Sequence, residues 1–343
     1  MRFQIYIILL FLILVSSCKK EETERKDIVF EKGVYPFIIP QGFEEPINDE
    51  FEELRIEKIN LGKELFFDPI LSINNDKSCA SCHKPEFAYG DNLAFSLGIN
   101  GAKTTRNTPA LFNLAWSLFY MWDGRAGSLQ AQAILPIENP KEMGSNVNLI
   151  INKLNNNLKY RELFKKVYET DTIKTYQLAE VLGQFEISLI SSNSNYDKWL
   201  RGELMLDSSA LRGMDLISNH LKGNCVVCHS IGGPFTSFAF RNIGLDEVSE
   251  DLGLGGVSGV RSEEGKFKTP SLRNLKYTGP YMHDGRFNTL REVIEFYNSG
   301  WQNHANLDFT MRINKRNRLN DQEIDDIIHF LEQLNDEEFV TKN

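Results

Sequence analysis

Two short runs constrain this chain more than anything else in it: Cys79-Ala-Ser-Cys82-His83 and Cys225-Val-Val-Cys228-His229. Each is a CxxCH motif, and together they use four of the five cysteines in 343 residues. Two thiols three positions apart match the two vinyl groups of one porphyrin, and the adjacent histidine can swing beneath the ring to bind iron. The pattern predicts two covalent c-type haems, one held by Cys79, Cys82 and His83, the other by Cys225, Cys228 and His229. Two alternatives are weaker. A four-cysteine zinc site would leave both trailing histidines unexplained. A disulfide framework suits short chains that lack a core, and this chain is long enough to bury a large one.

The fifth cysteine bears on location. Phe3 to Val15 form a thirteen-residue run, apolar apart from Gln4, behind Arg2. That is too short for a membrane span and right for the apolar region of an export signal. The run ends in Val15-Ser16-Ser17-Cys18, which resembles a bacterial lipobox; cleavage there would leave Cys18 as the lipidated first residue. The alternative is an ordinary signal peptide with an incidental cysteine. On the lipoprotein reading, residues 1–17 are the signal peptide and 18–39 a polar, charged tether. The protein would then sit on the periplasmic side of a bacterial membrane, held by lipid only. No other segment is apolar enough to span a bilayer.

The rest divides into two domains, 40–195 and 196–338, because the motifs repeat. Thr108-Pro-Ala-Leu-Phe-Asn113-Leu recurs as Thr269-Pro-Ser-Leu-Arg-Asn274-Leu, and fifteen residues after each Thr comes Asp-Gly-Arg, at Asp123 and at Asp284. Each half therefore has the order CxxCH, TPxLxNL, DGR, an internal duplication of one haem-binding unit. The second half carries about fifteen extra residues in the Gly-rich stretch 244–265, read as a surface loop. Trp122 in the first half occupies the place of His283 in the second. Secondary structure reads as mainly α, with few or no strands. Asn320 with Glu323 marks a helix start ahead of Ile324, Ile327, Ile328, Leu331 and Leu334 at helical spacing. Similar patterns cover 51–67, 149–167 and 176–189.

The runs LGKELFFDP (61–69), CASCHKPEFAYGD (79–91), RNTPALFN (106–113), WDGRAGSL (122–129), FKTPSLRN (267–274) and YMHDGR (281–286) resemble the bacterial di-haem cytochrome c peroxidase family, which includes the MauG-type enzymes. The resemblance covers nearly all of the chain beyond the export signal and implies two cytochrome c-like haem domains. It implies an enzyme that reduces hydrogen peroxide to water with electrons from a small donor protein, such as a monohaem cytochrome c or a cupredoxin. The N-terminal haem would be peroxidatic and the C-terminal haem would receive the electrons. His83 and His229 would be proximal ligands, and Trp122 would lie between the haems and help electrons pass. Gln132 and Glu142, ten and twenty positions after Trp122, match the family's distal glutamine and glutamate; a carboxylate over the iron can move a proton between the two peroxide oxygens. His283 would support the second haem without ligating it. One calcium ion between the domains would be held by Asn107, Thr278 and Pro280. Family members often pair as dimers, so a homodimer is open.

Two departures from the family pattern matter more. Typical members donate a second histidine to the peroxidatic haem from a Gly-His-Gly loop and must be reduced to release it. The corresponding loop here reads Gly98-Ile99-Asn100-Gly101, and His83 is the only histidine before His220. Typical members also place a methionine on the second iron, seven residues beyond a Leu that follows the HDG motif; counting from Leu290 gives Tyr297, as in MauG-type enzymes. Phenolate is a hard, anionic ligand that lowers the potential, whereas thioether favours Fe(II). Met282 is the rival ligand, and an interfacial tyrosine with no iron bond is the remaining alternative. Both departures suit a MauG-type oxidase of a partner protein as well as a peroxidase. A non-enzymatic electron-transfer cytochrome would need both irons fully ligated, and the N-terminal half lacks the histidine for that. The net charge of −9 suits a basic donor surface and gives no footing for nucleic acid. The oxidised protein is therefore expected to show a high-spin ferric signal beside a low-spin one in its electron paramagnetic resonance spectrum. Two low-spin signals alone would count against an open first haem.

Overall fold

Two pairs of crossing helices form the scaffold in the computed structural model, which describes residues 31–46, 54–314 and 318–342. In the N-terminal half, α1 (Ile56–Phe67) leads into the first CxxCH motif and α2 (Leu129–Glu138), α3 (Val147–Asn156), α4 (Leu158–Tyr168) and α5 (Thr175–Ile187) follow it. Helix α6 (Asn195–Leu200) begins the passage to the C-terminal half, where α7 (Ser208–Ser218) precedes the second motif. After it come α8 (Leu254–Ser258), α9 (Leu290–Glu295), α10 (Phe309–Asn314), α11 (Asp321–Glu332) and α12 (Glu337–Lys342). Among the described residues the only strands are β1 (Phe240–Arg241) and β2 (Phe267–Lys268), paired antiparallel, so the mainly helical expectation holds. No described helix is long and apolar enough to cross a membrane. The export signal and Cys18 lie outside the described residues.

The crossings are built alike in the two halves. Helix α1 packs on α5, and α7 on α11, each at a glycine. A Cβ on Gly62 would stand 1.9 Å from the Val181 carbonyl oxygen, and one on Gly213 would stand 2.0 Å from that of Asp326. Glycine lets the backbones touch there, and Phe185 and Phe330 fill the space just beyond. Caps fix the ends. The Asn320 side chain accepts from the Glu323 N–H while Glu323 accepts from the Asn320 N–H, both at 2.9 Å. Where α1 lacks a side-chain cap, the Gln184 side chain of α5 accepts the Arg55 N–H at 3.0 Å.

The halves meet about a pseudo-twofold arrangement. The Asn107 N–H donates to the His283 carbonyl at 2.8 Å, and the Lys268 N–H donates to the Trp122 carbonyl at 2.8 Å. Asn107 and Lys268 precede the two TPxLxNL runs, and Trp122 and His283 precede the two DGR runs, so the same bond is made twice with the halves exchanged. The motif asparagines Asn113 and Asn274, both left-handed, converge on Ser191 in the segment joining the halves. That segment is held in turn by Asp336, whose Oδ2 accepts from the Ser192 and Asn193 N–H groups.

Two expectations are corrected. The stretch 149–167 is two helices, broken at Asn157, whose side chain caps α4 instead of continuing α3. The Gly-rich stretch 244–265 is no simple loop: it contains α8 and is pinned from beneath by His304. His304 is buried. Its Nδ1 accepts the Asn306 N–H at 2.9 Å, which leaves the proton on Nε2 to be donated to Ser249 Oγ at 3.2 Å. Gly62→Ala and Gly213→Ala are each expected to cost about 1–3 kcal/mol, since a helix pair must be pushed apart. Denaturant midpoints of the haem-loaded variants equal to wild type would show that the crossings tolerate a methyl group.

Candidate active site

One apolar cavity runs between the halves and collects nearly every residue singled out from sequence. Cys82, His83, Trp122, Gln132 and Glu142 line it from the N-terminal side. Cys225, Cys228, His229, Met282, His283 and Tyr297 line it from the C-terminal side. Cys79 is the one predicted attachment residue outside the lining. None of these four cysteines is in a disulfide, and no group of three or more His, Cys, Asp or Glu among the described residues could hold a metal ion. That removes the zinc and disulfide alternatives.

Both motif histidines are prepared as metal ligands. Burial pulls the His83 imidazole below its ordinary pKa and pulls that of His229 down to about 4, so both are neutral near pH 7. His83 Nδ1 donates to the Tyr89 carbonyl at 2.8 Å, which leaves Nε2 for iron. Tyr89 reaches that position in a left-handed conformation, φ 61°. Phe235, also six residues beyond its histidine, is left-handed too, φ 53°. Its carbonyl acts to raise the His229 pKa against the larger effect of burial, while His229 Nδ1 makes no hydrogen bond. Two CxxCH motifs opening on one apolar cavity, each with a neutral, half-buried histidine, fit two c-type haems.

The wall on the N-terminal side comes from α2 and the turn after it. Leu129, Gln132, Pro136 and Asn139 recur at helical spacing and all face the cavity. Gln132 Oε1 is buried without a partner. Glu142 Oε1 accepts from Asn139 Nδ2 at 2.6 Å. Burial raises the Glu142 pKa above the ordinary carboxylate range, offset in part by Asn139 and the Arg125 guanidinium. Its charge also raises the Cys79 and Cys82 thiols, which puts it beside the first attachment site. The loop 98–101 packs against this carboxylate's backbone: the Ile99 N–H donates to the Glu142 carbonyl at 2.8 Å.

Similarity to known proteins decides the family. The profile for di-haem cytochrome c peroxidase matches residues 56–205, and that for cytochrome c matches 213–335. The methylamine utilization protein MauG of Methylorubrum extorquens is 38% identical over 282 residues, covering 81% of this chain and 78% of that protein. The chain belongs to the di-haem cytochrome c peroxidase and MauG family. Cytochrome c551 peroxidase of Nitrosomonas europaea is 34% identical and covers 80% of this chain and 78% of its own. Among solved structures, a MauG-like protein associated with microbial copper homeostasis matches with a TM-score of 0.82 at 29% identity, over 90% of this chain and 97% of that one. The family carries two haem c groups on two cytochrome c-like domains, and its members are oxidoreductases that include both peroxidases and MauG proteins.

Opposite the first site, Tyr297 stands on a π-helical turn, 296–300, that continues α9; such turns often mark functional positions. The turn is held by Asn298, which exchanges hydrogen bonds with the backbone of Leu319 at 3.0 and 2.9 Å. Burial, then the nearby Cys228 and Cys225 thiols, pushes the Tyr297 hydroxyl far up, so the phenol beside the second motif stays protonated unless a cation replaces that environment. About a third of its surface is accessible, and it lines the cavity. Met282, left-handed at φ 75°, also lines the cavity. His283 is buried and stacks on Phe267, rings 3.6 Å apart and 13° from parallel.

Trp122 donates its indole N–H to the Asn107 carbonyl at 2.8 Å, and Asn107 Nδ2 donates to the Leu93 carbonyl at 2.8 Å. Sequence reasoning passed over Arg106, which the structure puts at the junction. It binds Asp123 of its own half at 2.6 Å and, through two bonds of 2.7 Å, Asp251 of the other half, while packing on Phe267. The signal was available: Arg106 opens the RNTPALFN run, where the repeat has Phe267. If Tyr297 ligates the second iron, Tyr297→Phe will shift the low-spin absorption and resonance spectra with haem content unchanged. Spectra identical to wild type would remove that ligand.

Proposed function

We propose that the chain reduces hydrogen peroxide to water with two electrons from a small donor protein, and does so without prior reduction. One observation carries the second half of this reading. The loop that bears a histidine in typical family members has none here, and its Ile99 is hydrogen-bonded to the Glu142 backbone and buried. When bound, the haems supply the iron where peroxide binds and the store of electrons.

The protein's part is proton handling and separation of the two sites. Glu142 takes the proton of the near peroxide oxygen and returns it to the far one, releasing water. Asn139 orients that carboxylate, and Gln132 presents a buried amide to the same space. Trp122, held by Asn107, stands in the wall shared by the halves and shortens the path for electrons. His83 and Tyr297 or Met282 complete the ligand sets with His229. The same proposal includes a calcium ion bound by Asn107 Oδ1 and the carbonyls of Thr278 and Pro280; all three residues line the cavity. It includes domain limits of 40–195 and 196–338, export to the periplasmic side and a lipid anchor at Cys18. A second reading, oxidation of a partner protein in the MauG manner, is favoured by Tyr297 on its π-turn and by the relatives named MauG.

The as-isolated, oxidised protein is expected to consume reduced cytochrome c at once when peroxide is added; a lag that only prior reduction removes would overturn the proposal. Glu142→Gln should lower turnover by about 10²–10⁴-fold with haem spectra retained. The rate with peroxide should rise with pH through the Glu142 pKa, since only the ionised form accepts a proton. Burial places that rise above the ordinary carboxylate range, and a flat profile in the wild type would exclude the role.

A further inference from the structure

Lys268 is a cation without an anion. It belongs to β2 in the C-terminal half, but its side chain crosses to the other half, where Nζ donates to the Phe119 carbonyl at 2.8 Å and lies 3.4 Å from Ser117 Oγ. The rings of Tyr120 and Phe238 flank the ammonium at 5.8 and 5.7 Å. No Asp or Glu among the described residues comes within ion-pair distance of it, and burial is the one cause that pulls its pKa down, to about 8. Lys268 lines the cavity. The other cations on the cavity wall are Arg106, Arg125, Lys222, Arg241 and Arg273. Each of these five is paired with a carboxylate: Arg106 with Asp251 and with Asp123, which it shares with Arg125, Lys222 with Glu323, Arg241 with Asp308 and Arg273 with Asp197. A partly buried ammonium with only neutral partners is stabilised when a counter-charge arrives, and the cavity that Lys268 lines is a place from which one can come.

We propose that Lys268 binds a propionate carboxylate of a bound haem, tying the porphyrin from one half to the loop of the other that carries Trp122. The backbone supports this: the Lys268 N–H is bonded to the Trp122 carbonyl, so the ammonium and Trp122 are fixed to one another at the junction. The inference rests on the two haems of the family and not on which reaction they serve.

The test uses the haem-loaded protein. Lys268→Met, with two haems per chain confirmed by the pyridine haemochrome, should show one midpoint potential shifted downward in a spectroelectrochemical titration, because a positive charge that favours reduced iron is gone. Lys268→Arg should restore most of the shift. Unchanged midpoints in the methionine variant overturn the proposal. If that variant loses haem or does not fold, a crystal structure of the wild-type holoprotein decides: Nζ within hydrogen-bond distance of a porphyrin carboxylate supports it. Nζ on a free anion, or on Phe119 and Ser117 alone, overturns it. Peroxide turnover does not enter, so failure here leaves the proposed reaction untouched.

Discussion

Two backbone hydrogen bonds, Asn107 to His283 and Lys268 to Trp122, set the register between the halves. They join equivalent positions in opposite directions, as contacts do in a symmetric dimer. Because N–H and C=O groups make them, they are indifferent to the side chains those residues carry. The junction can therefore keep its geometry while its chemistry diverges. Arg106 faces Phe267, Asn107 corresponds to Lys268, and Trp122 to His283, three pairs of unlike side chains on one repeated frame.

That divergence gives the two sites different electrostatics. On the N-terminal side Asp123 sits between Arg106 and Arg125, and burial of its carboxyl is outweighed by the two guanidiniums, so it stays ionised well below the usual range. Arg125, held in this way, is the one cation that lowers the neighbouring Glu142. On the C-terminal side, the position of Trp122 is taken by His283, which burial keeps neutral against Phe267. The phenol of Tyr297 is neutral near pH 7 by its ordinary pKa, and desolvation pushes it further up. One side thus has a carboxylate with compensating partners and the other has neutral aromatic groups.

The two CxxCH motifs, the repeated motif order and helices α1, α3, α4, α5 and α11 were legible in the sequence because each has a short-range signature: fixed Cys and His spacing, a repeated heptapeptide, a capping pair and helical periodicity. Gly62 and Gly213 were not, because nothing in their neighbours announces that a helix 120 or so residues away will touch them; the need is tertiary. The left-handed carbonyls of Tyr89 and Phe235, on non-glycine residues, gave no local sign either. Arg106, Lys268 and His304 were missed for a related reason. A charged or polar residue in a loop is most often solvated, and only the fold shows that Arg106 spans two carboxylates, that His304 is buried under 244–265 and that Lys268 has none of the partners it needs.

Two carboxyls, Glu186 and Glu142, raise the Cys79 thiol, and the protein distinguishes them. Glu186, on α5, is raised to about 8 by burial alone, and its Oε2 has no partner. It occupies the position of Leu331, one residue beyond the paired phenylalanines of the two crossings, and carries no charge near pH 7. Glu142 is also raised by burial, but it keeps a donor at 2.6 Å and a cation nearby, both of which favour the ionised form. A base must hold its negative charge before it can accept a proton, and a group without compensation cannot. Of the two acids near Cys79, the one facing the cavity is therefore also the one able to accept a proton, while Glu186 behaves as a neutral, polar part of the core.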